Sequence, residues 1–104
     1  MTRVAFKMKL HEGFEEEYKK RHDQLWPELQ QLLSAAGISE YSIFLDTGTN
    51  FLFGVMKATD TAALDNLPAQ PVMQRWWACM KDIMETNPDN SPVSIPLQEV
   101  FYMP

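Results

Sequence analysis

From Phe14 to Ala36 apolar residues return every three or four positions, and a proline at position 27 interrupts the run. Phe14, Tyr18, His22, Leu25, Leu29, Leu32 and Leu33 line up as one face of a helix. Pro27 removes a helical hydrogen bond and crowds the turn before it. The segment is therefore expected to kink or break between His22 and Trp26, splaying those side chains instead of burying them evenly. Gly37 supplies the left-handed stop. A histidine on such a face leaves bulk water while keeping a pKa that can cross neutrality, and Tyr18 emerges beside it one turn earlier. A histidine on an apolar stripe is also what an ordinary hydrogen-bonded core residue looks like.

Strands flank this segment. Val4 to Leu10 alternates, as do Tyr41 to Leu45 and Phe51 to Lys57, with Asp46-Thr-Gly-Thr-Asn50 as the turn between the latter two. Thr61 to Leu67 reads as a short helix stopped by Pro68. Pro71 opens another that runs through Val72, Met73, Trp76, Met80 and Ile83. Asn87-Pro-Asp-Asn-Ser-Pro92 cannot continue it, and Leu97 to Tyr102 is the expected last strand. The order βαββαβ predicts an α+β, ferredoxin-like subunit: an antiparallel sheet with its helices on one face, in a single domain spanning 1–104. Phe44, Leu52, Met56, Val100 and Tyr102 are assigned to the other face. A sheet so apolar on both sides needs a cover, and in a chain of 104 residues the natural cover is a second copy.

Composition narrows function. Nine basic and fourteen acidic side chains give a net charge of −5, which argues against nucleic acid as partner. Lys19-Lys20-Arg21 follows Glu15-Glu16-Glu17, so the basic run reads as i,i+4 pairs on a solvated face. A single cysteine, Cys79, fits a reducing compartment and reads as a packed or neutral thiol. With no signal or membrane-spanning segment, a cytoplasmic protein without membrane attachment is expected. His11 and His22 lie eleven apart without HExxH or clustered acidic ligands, so no catalytic metal is expected. The four glycines form no phosphate cradle. Asp82, Glu85 and Asp89 read as solvated carboxylates.

Trp76-Trp77 is the remaining oddity. Adjacent helical residues point about 100° apart, so one indole is expected on the sheet and the other in a cleft or interface. With Tyr18, His22 and Tyr41 they suit an aromatic pocket with one titratable group, a composition that fits a small, neutral, hydroxyl-rich ligand.

Glu17-Tyr18-Lys-Lys-Arg21-His22-Asp-Gln-Leu-Trp26-Pro27-Glu28-Leu29, then Trp76-Trp77, then Thr86-Asn87-Pro88-Asp89-Asn90-Ser91-Pro92-Val93, and finally Phe101-Tyr102-Met103-Pro104 resemble the L-rhamnose mutarotase family. The resemblance runs the length of the chain and is weakest between Thr59 and Ala69. It implies a dimeric α+β barrel and a cofactor-free isomerase that interconverts the α and β anomers of L-rhamnose. It also implies His22 as proton donor, with Tyr18, Tyr41, Trp76 and Trp77 contacting the sugar. Two other readings share the fold: a small monooxygenase or haem-degrading enzyme, and a non-enzymatic sugar-binding dimer.

Overall fold

The computed structural model describes residues 2–104. Its sheet is four-stranded and antiparallel, in the order β2-β3-β1-β4, with β1 at Thr2–Lys9, β2 at Ile38–Asp46, β3 at Phe51–Ala58 and β4 at Ile95–Leu97. That is the ferredoxin-like order expected from the sequence. Four helices complete it: α1 at Glu15–Asp23, α2 at Pro27–Ala35, α3 at Thr61–Leu64 and α4 at Pro71–Met80.

Pro27 does break the helix. Trp26 is extended, at φ −62° and ψ 130°, the conformation a following proline imposes, and Pro27 opens α2 as its first residue. The carbonyl of Trp26 accepts from both Leu29 and Gln30, at 3.0 Å each, and starts the new helix. His22 consequently stands in the last turn of α1. Gly37, at φ 87°, ends α2, and a Cβ there would meet the Thr59 hydroxyl at 2.0 Å.

Alternation places the core. Met8 from β1, Leu10 just past its end and Leu52 from β3 point to the helices and pack with Tyr18, Leu29, Trp76, Trp77, Met80 and Ile83. In β2 the register slips between Ser39 and Ser42, so Glu40 and Tyr41 together oppose Met56. Glu40 takes the left-handed position of this bulge, at φ 48°. The slip lets Ile38, before it, and Tyr41, after it, face the helices alike.

Three expectations need correcting. Leu52 and Met56 do not lie on the outer face but are buried under the helices, because β3 carries large residues on both sides and its inward set is Leu52, Gly54, Met56 and Ala58. The outer face carries Phe44, 62% exposed, beside Phe53 and Val55, with Leu97 and Ile95 across β1. The last strand is Ile95–Leu97, not Leu97 to Tyr102. Past Leu97 the backbone leaves β1, and the tail is held by side chains instead: Arg3 pairs with Glu99 at 2.9 Å and stacks on the Tyr102 ring at 3.2 Å. Val100 is 89% exposed and Phe101 nearly as open. Finally, the short helix stops at Leu64, and Pro68 lies inside a separate 3₁₀ turn, Leu67–Ala69, where it costs no backbone bond. Among the described residues, no helix is long and apolar enough to cross a membrane.

Candidate functional site

A cavity of about 1040 Å³ lies between α1, α2, the β2 side of the sheet and the edge of α4. Leu29, Leu33, Ile43 and Leu45 give it apolar walls, while Tyr18, His22, Tyr41 and Trp76 bring the polar and aromatic groups. Glu15, Glu16, Lys19, Asp23 and Glu40 stand around its rim. This is a mostly apolar recess with a few convergent polar atoms, the usual form of a small-molecule site.

His22 is fixed on three sides. Its Nδ1 lies 3.0 Å from the carbonyl oxygen of Tyr18, which can only accept, so Nδ1 carries the hydrogen and Nε2 holds the lone pair. Its ring stacks on that of Tyr18, with centroids 4.3 Å apart and planes 28° apart. Trp76 meets it edge-on at 5.3 Å, and Trp26 meets Trp76 in the same manner at 5.2 Å. Among the described residues Nε2 has no hydrogen-bond partner, and it is not sealed from the cavity. Burial holds the imidazole below its ordinary 6.5, against the opposing effects of the Tyr18 carbonyl and the Asp23 charge. The neutral ring with a bare Nε2 is therefore the resting form at neutral pH.

Both phenols stay protonated. Burial raises the Tyr18 hydroxyl, and the nearby Tyr41 raises it further. Tyr41 is 39% exposed as a residue, but its hydroxyl end is desolvated and is pushed up to about 12. Its ring is held by the edge of Phe6, with centroids 6.2 Å apart. Phe6 in turn sets the outer end of its ring over Gly54, where a Cβ would come within 2.5 Å of it. Tyr18, Tyr41, His22 and Trp76 thus converge on one space.

Trp77 does not join them. It is buried to 9% exposure in the core, and Trp76 is buried to 8%, but only Trp76 also forms part of the cavity wall. The divergence of the two indoles follows from helix geometry, although neither is left open. Two further residues make contacts at the site that their sequence pattern does not announce. Trp26 backs Trp76. Arg21 is paired with Glu17 at 3.0 Å as its spacing predicts, yet it also reaches the end of α4, where it binds the Cys79 carbonyl and, just past the helix, Asp82. Asp82 is accordingly not a free carboxylate, and Arg21 holds it below the usual carboxylate range. Glu15–Lys19 and Glu16–Lys20 are not among the ion pairs formed by the described residues; Lys19 turns to Asp23 at 2.9 Å. Cys79 is exposed, not packed. The Asn87–Pro92 segment closes on itself, Asn87 N–H donating to the Ser91 carbonyl at 2.7 Å, and it does not line the cavity.

The family model described as L-rhamnose mutarotase matches residues 3–103. The chain belongs to that family. An L-rhamnose mutarotase of Mesorhizobium japonicum is 59% identical over 97% of this chain and 96% of the relative. One from Jannaschia is 58% identical over the whole of both chains. The crystal structure of an L-rhamnose mutarotase from Formosa agariphila superposes with a TM-score of 0.94 at 56% identity, covering both chains completely. An antibiotic biosynthesis monooxygenase structure shares the fold alone, with a TM-score of 0.52 at 15% identity over 96% of this chain and 99% of that one.

Proposed function

We propose that this mutarotase family member interconverts the α and β anomers of L-rhamnose, with His22 as the proton-transfer group. The observation that carries the reading is the bare Nε2 of a neutral, anchored imidazole facing the same space as two protonated phenols. Mutarotation requires the anomeric hydroxyl to lose a proton and the ring oxygen to gain one. Those two oxygens share one carbon, so a single nitrogen can serve them in turn.

Nε2 takes the proton from the anomeric hydroxyl, whose O–H electrons become the second bond of the aldehyde. The ring C–O bond breaks, its electron pair passes to the ring oxygen, and the imidazolium delivers the proton there. Rotation about C1–C2 and the reverse steps close the ring as the other anomer. The Tyr18 carbonyl stabilises the transient imidazolium through Nδ1–H. Tyr18 and Tyr41, kept neutral by burial, act as hydrogen-bond donors to sugar oxygens and not as bases. Trp76 offers an indole wall to the sugar's C–H surface. No step calls on a metal or an organic cofactor.

The same reading includes a cytoplasmic homodimer. The outward row of Phe44, Phe53, Val55 and Leu97 and the apolar tail support a second copy of the chain over the outer face. Saturation-transfer NMR on L-rhamnose tests the activity directly. Addition of the protein is expected to speed transfer between the two anomeric proton signals. Transfer that stays at the spontaneous rate with folded protein would rule the activity out.

A further inference from the structure

Arg21 occupies a position that neither the pocket nor the helix face explains. It follows Lys20 on α1 and immediately precedes His22, but its guanidinium leaves the helix and crosses to the end of α4. There Nη1 donates to the Cys79 carbonyl at 2.7 Å and to Asp82 Oδ1 at 2.9 Å, and Nη2 reaches Asp82 Oδ2 at 3.2 Å. Nε donates to Glu17 at 3.0 Å, which ties the fork back to its own helix.

The chemistry of that position is specific. Cys79 lies in the last turn of α4, whose terminal carbonyls lack partners within the helix and carry partial negative charge. That last turn has no basic residue of its own. Lys81 stands at the C-cap, but the cation hydrogen-bonded to the Cys79 carbonyl comes from α1, fifty-eight positions away in sequence. A planar guanidinium can hold a carbonyl, both oxygens of a carboxylate and a fourth acceptor at once, whereas a lysine ammonium cannot.

The two helix ends joined in this way carry the two groups that must meet in the site. His22 is the next residue after Arg21. Trp76 lies one turn before Cys79, its ring perpendicular to the imidazole with centroids 5.3 Å apart. We infer that Arg21 is a positioning residue, and that its bracket between α1 and the C-terminus of α4 sets the placement of His22 against Trp76 and hence of Nε2 in the cavity. The inference rests on the reading of His22 as the proton-transfer group. Small displacements of such a group are costly, since about 1 Å can lower a rate by up to about 10²-fold.

The test uses Arg21→Lys, which keeps the charge and loses the fork, and Asp82→Asn, which removes the ion pair at an exposed position. Anomer exchange is measured over a range of L-rhamnose concentrations to separate kcat from KM. The His22 ring-proton resonances are followed in parallel, because the Trp76 indole shifts them. Both variants are expected to lose roughly tenfold in kcat with KM within about twofold. The His22 resonances should move toward their positions in an unstructured chain. If Arg21→Lys fails to fold, Asp82→Asn decides alone. Unchanged kcat and unshifted His22 resonances in a folded variant, with stability alone reduced, would show a purely structural bracket and overturn the inference. A fully active His22→Asn variant would overturn it by another route, removing the reading on which it depends.

Discussion

Tyr18 and His22 are joined twice: their rings stack at 4.3 Å, and the Tyr18 backbone carbonyl holds His22 Nδ1 at 3.0 Å. One residue thus fixes both the tilt of the imidazole and its tautomer. The carbonyl belongs to the helix and is untouched by side-chain replacement, so the two effects can be separated.

His22→Asn should abolish proton transfer while leaving the fold intact. Losing a positioned acid/base group costs on the order of 10²–10⁴ in rate. Anomer exchange at equal folded concentration should therefore approach the spontaneous background, with circular dichroism unchanged. A folded variant of wild-type activity would return His22 to the status of a core residue.

The pH profile follows from the neutral resting form. Burial lowers the His22 pKa below 6.5, and the proposed shuttle begins with a bare Nε2. Activity should rise with pH through a midpoint under 6.5 and then hold level. Stability shares this sign. In the window between the folded pKa and 6.5 the unfolded chain binds more protons than the folded one. The contribution is fully present above 6.5 and is lost as pH falls through the folded value. A kinetic midpoint above 6.5, measured by NMR exchange, would contradict the assignment.

The two indoles should part company under conservative replacement. Trp76→Phe shrinks the ring packed against His22 and should raise KM for the sugar. Trp77→Phe should leave KM unchanged and lower the melting temperature. Full truncation of either to alanine is expected to cost about 3–5 kcal/mol of stability, since both are buried. Equal kinetic effects from the two phenylalanine variants would refute the division of roles.

Gly54→Ala should act at a distance on Tyr41. Its Cβ would come within 2.5 Å of the Phe6 ring, and that ring braces Tyr41. Overpacking of this kind costs about 1–3 kcal/mol. Displacement of Phe6 should also weaken sugar binding, seen as a higher KM in a folded protein. Alanine with unaltered stability and KM would mean that Phe6 moves freely and braces nothing.

The proposed dimer has its own measurement. Light scattering at micromolar concentration should give about twice the chain mass of 12.0 kDa. Phe44→Glu, on the exposed outer row, should shift the protein toward monomer. A well-behaved wild-type monomer would leave that row without a cover.

What the sequence disclosed and what it withheld divide along the range of the interactions. The Tyr18–His22 pair is an i,i+4 relation, and the break before Pro27 is a local backbone constraint, so both were legible. The fold followed from the order of alternating and helical segments. The Arg21–Asp82 pair spans sixty-one positions and leaves no local trace. Leu97 to Tyr102 has strand-like composition, yet a strand needs a neighbour to bond, and β1 pairs no further than Leu97. The faces of β3 were confused because a glycine occupies one of its inward positions. The extra residue in β2 was invisible for a related reason, since periodicity read from Tyr41 onward gives no sign of a slip before it.

That extra residue makes strand length a condition of function. Glu40 separates two stretches of β2 that run in opposite phase, one presenting Ile38 inward and the other Tyr41. Changing the letter at position 40 leaves both phases in place. Deleting it would turn one stretch over, exposing Ile38 to water or carrying the Tyr41 hydroxyl out of the cavity. Position 40 thus accepts any residue that tolerates its left-handed backbone, while the number of residues in the strand must stay the same.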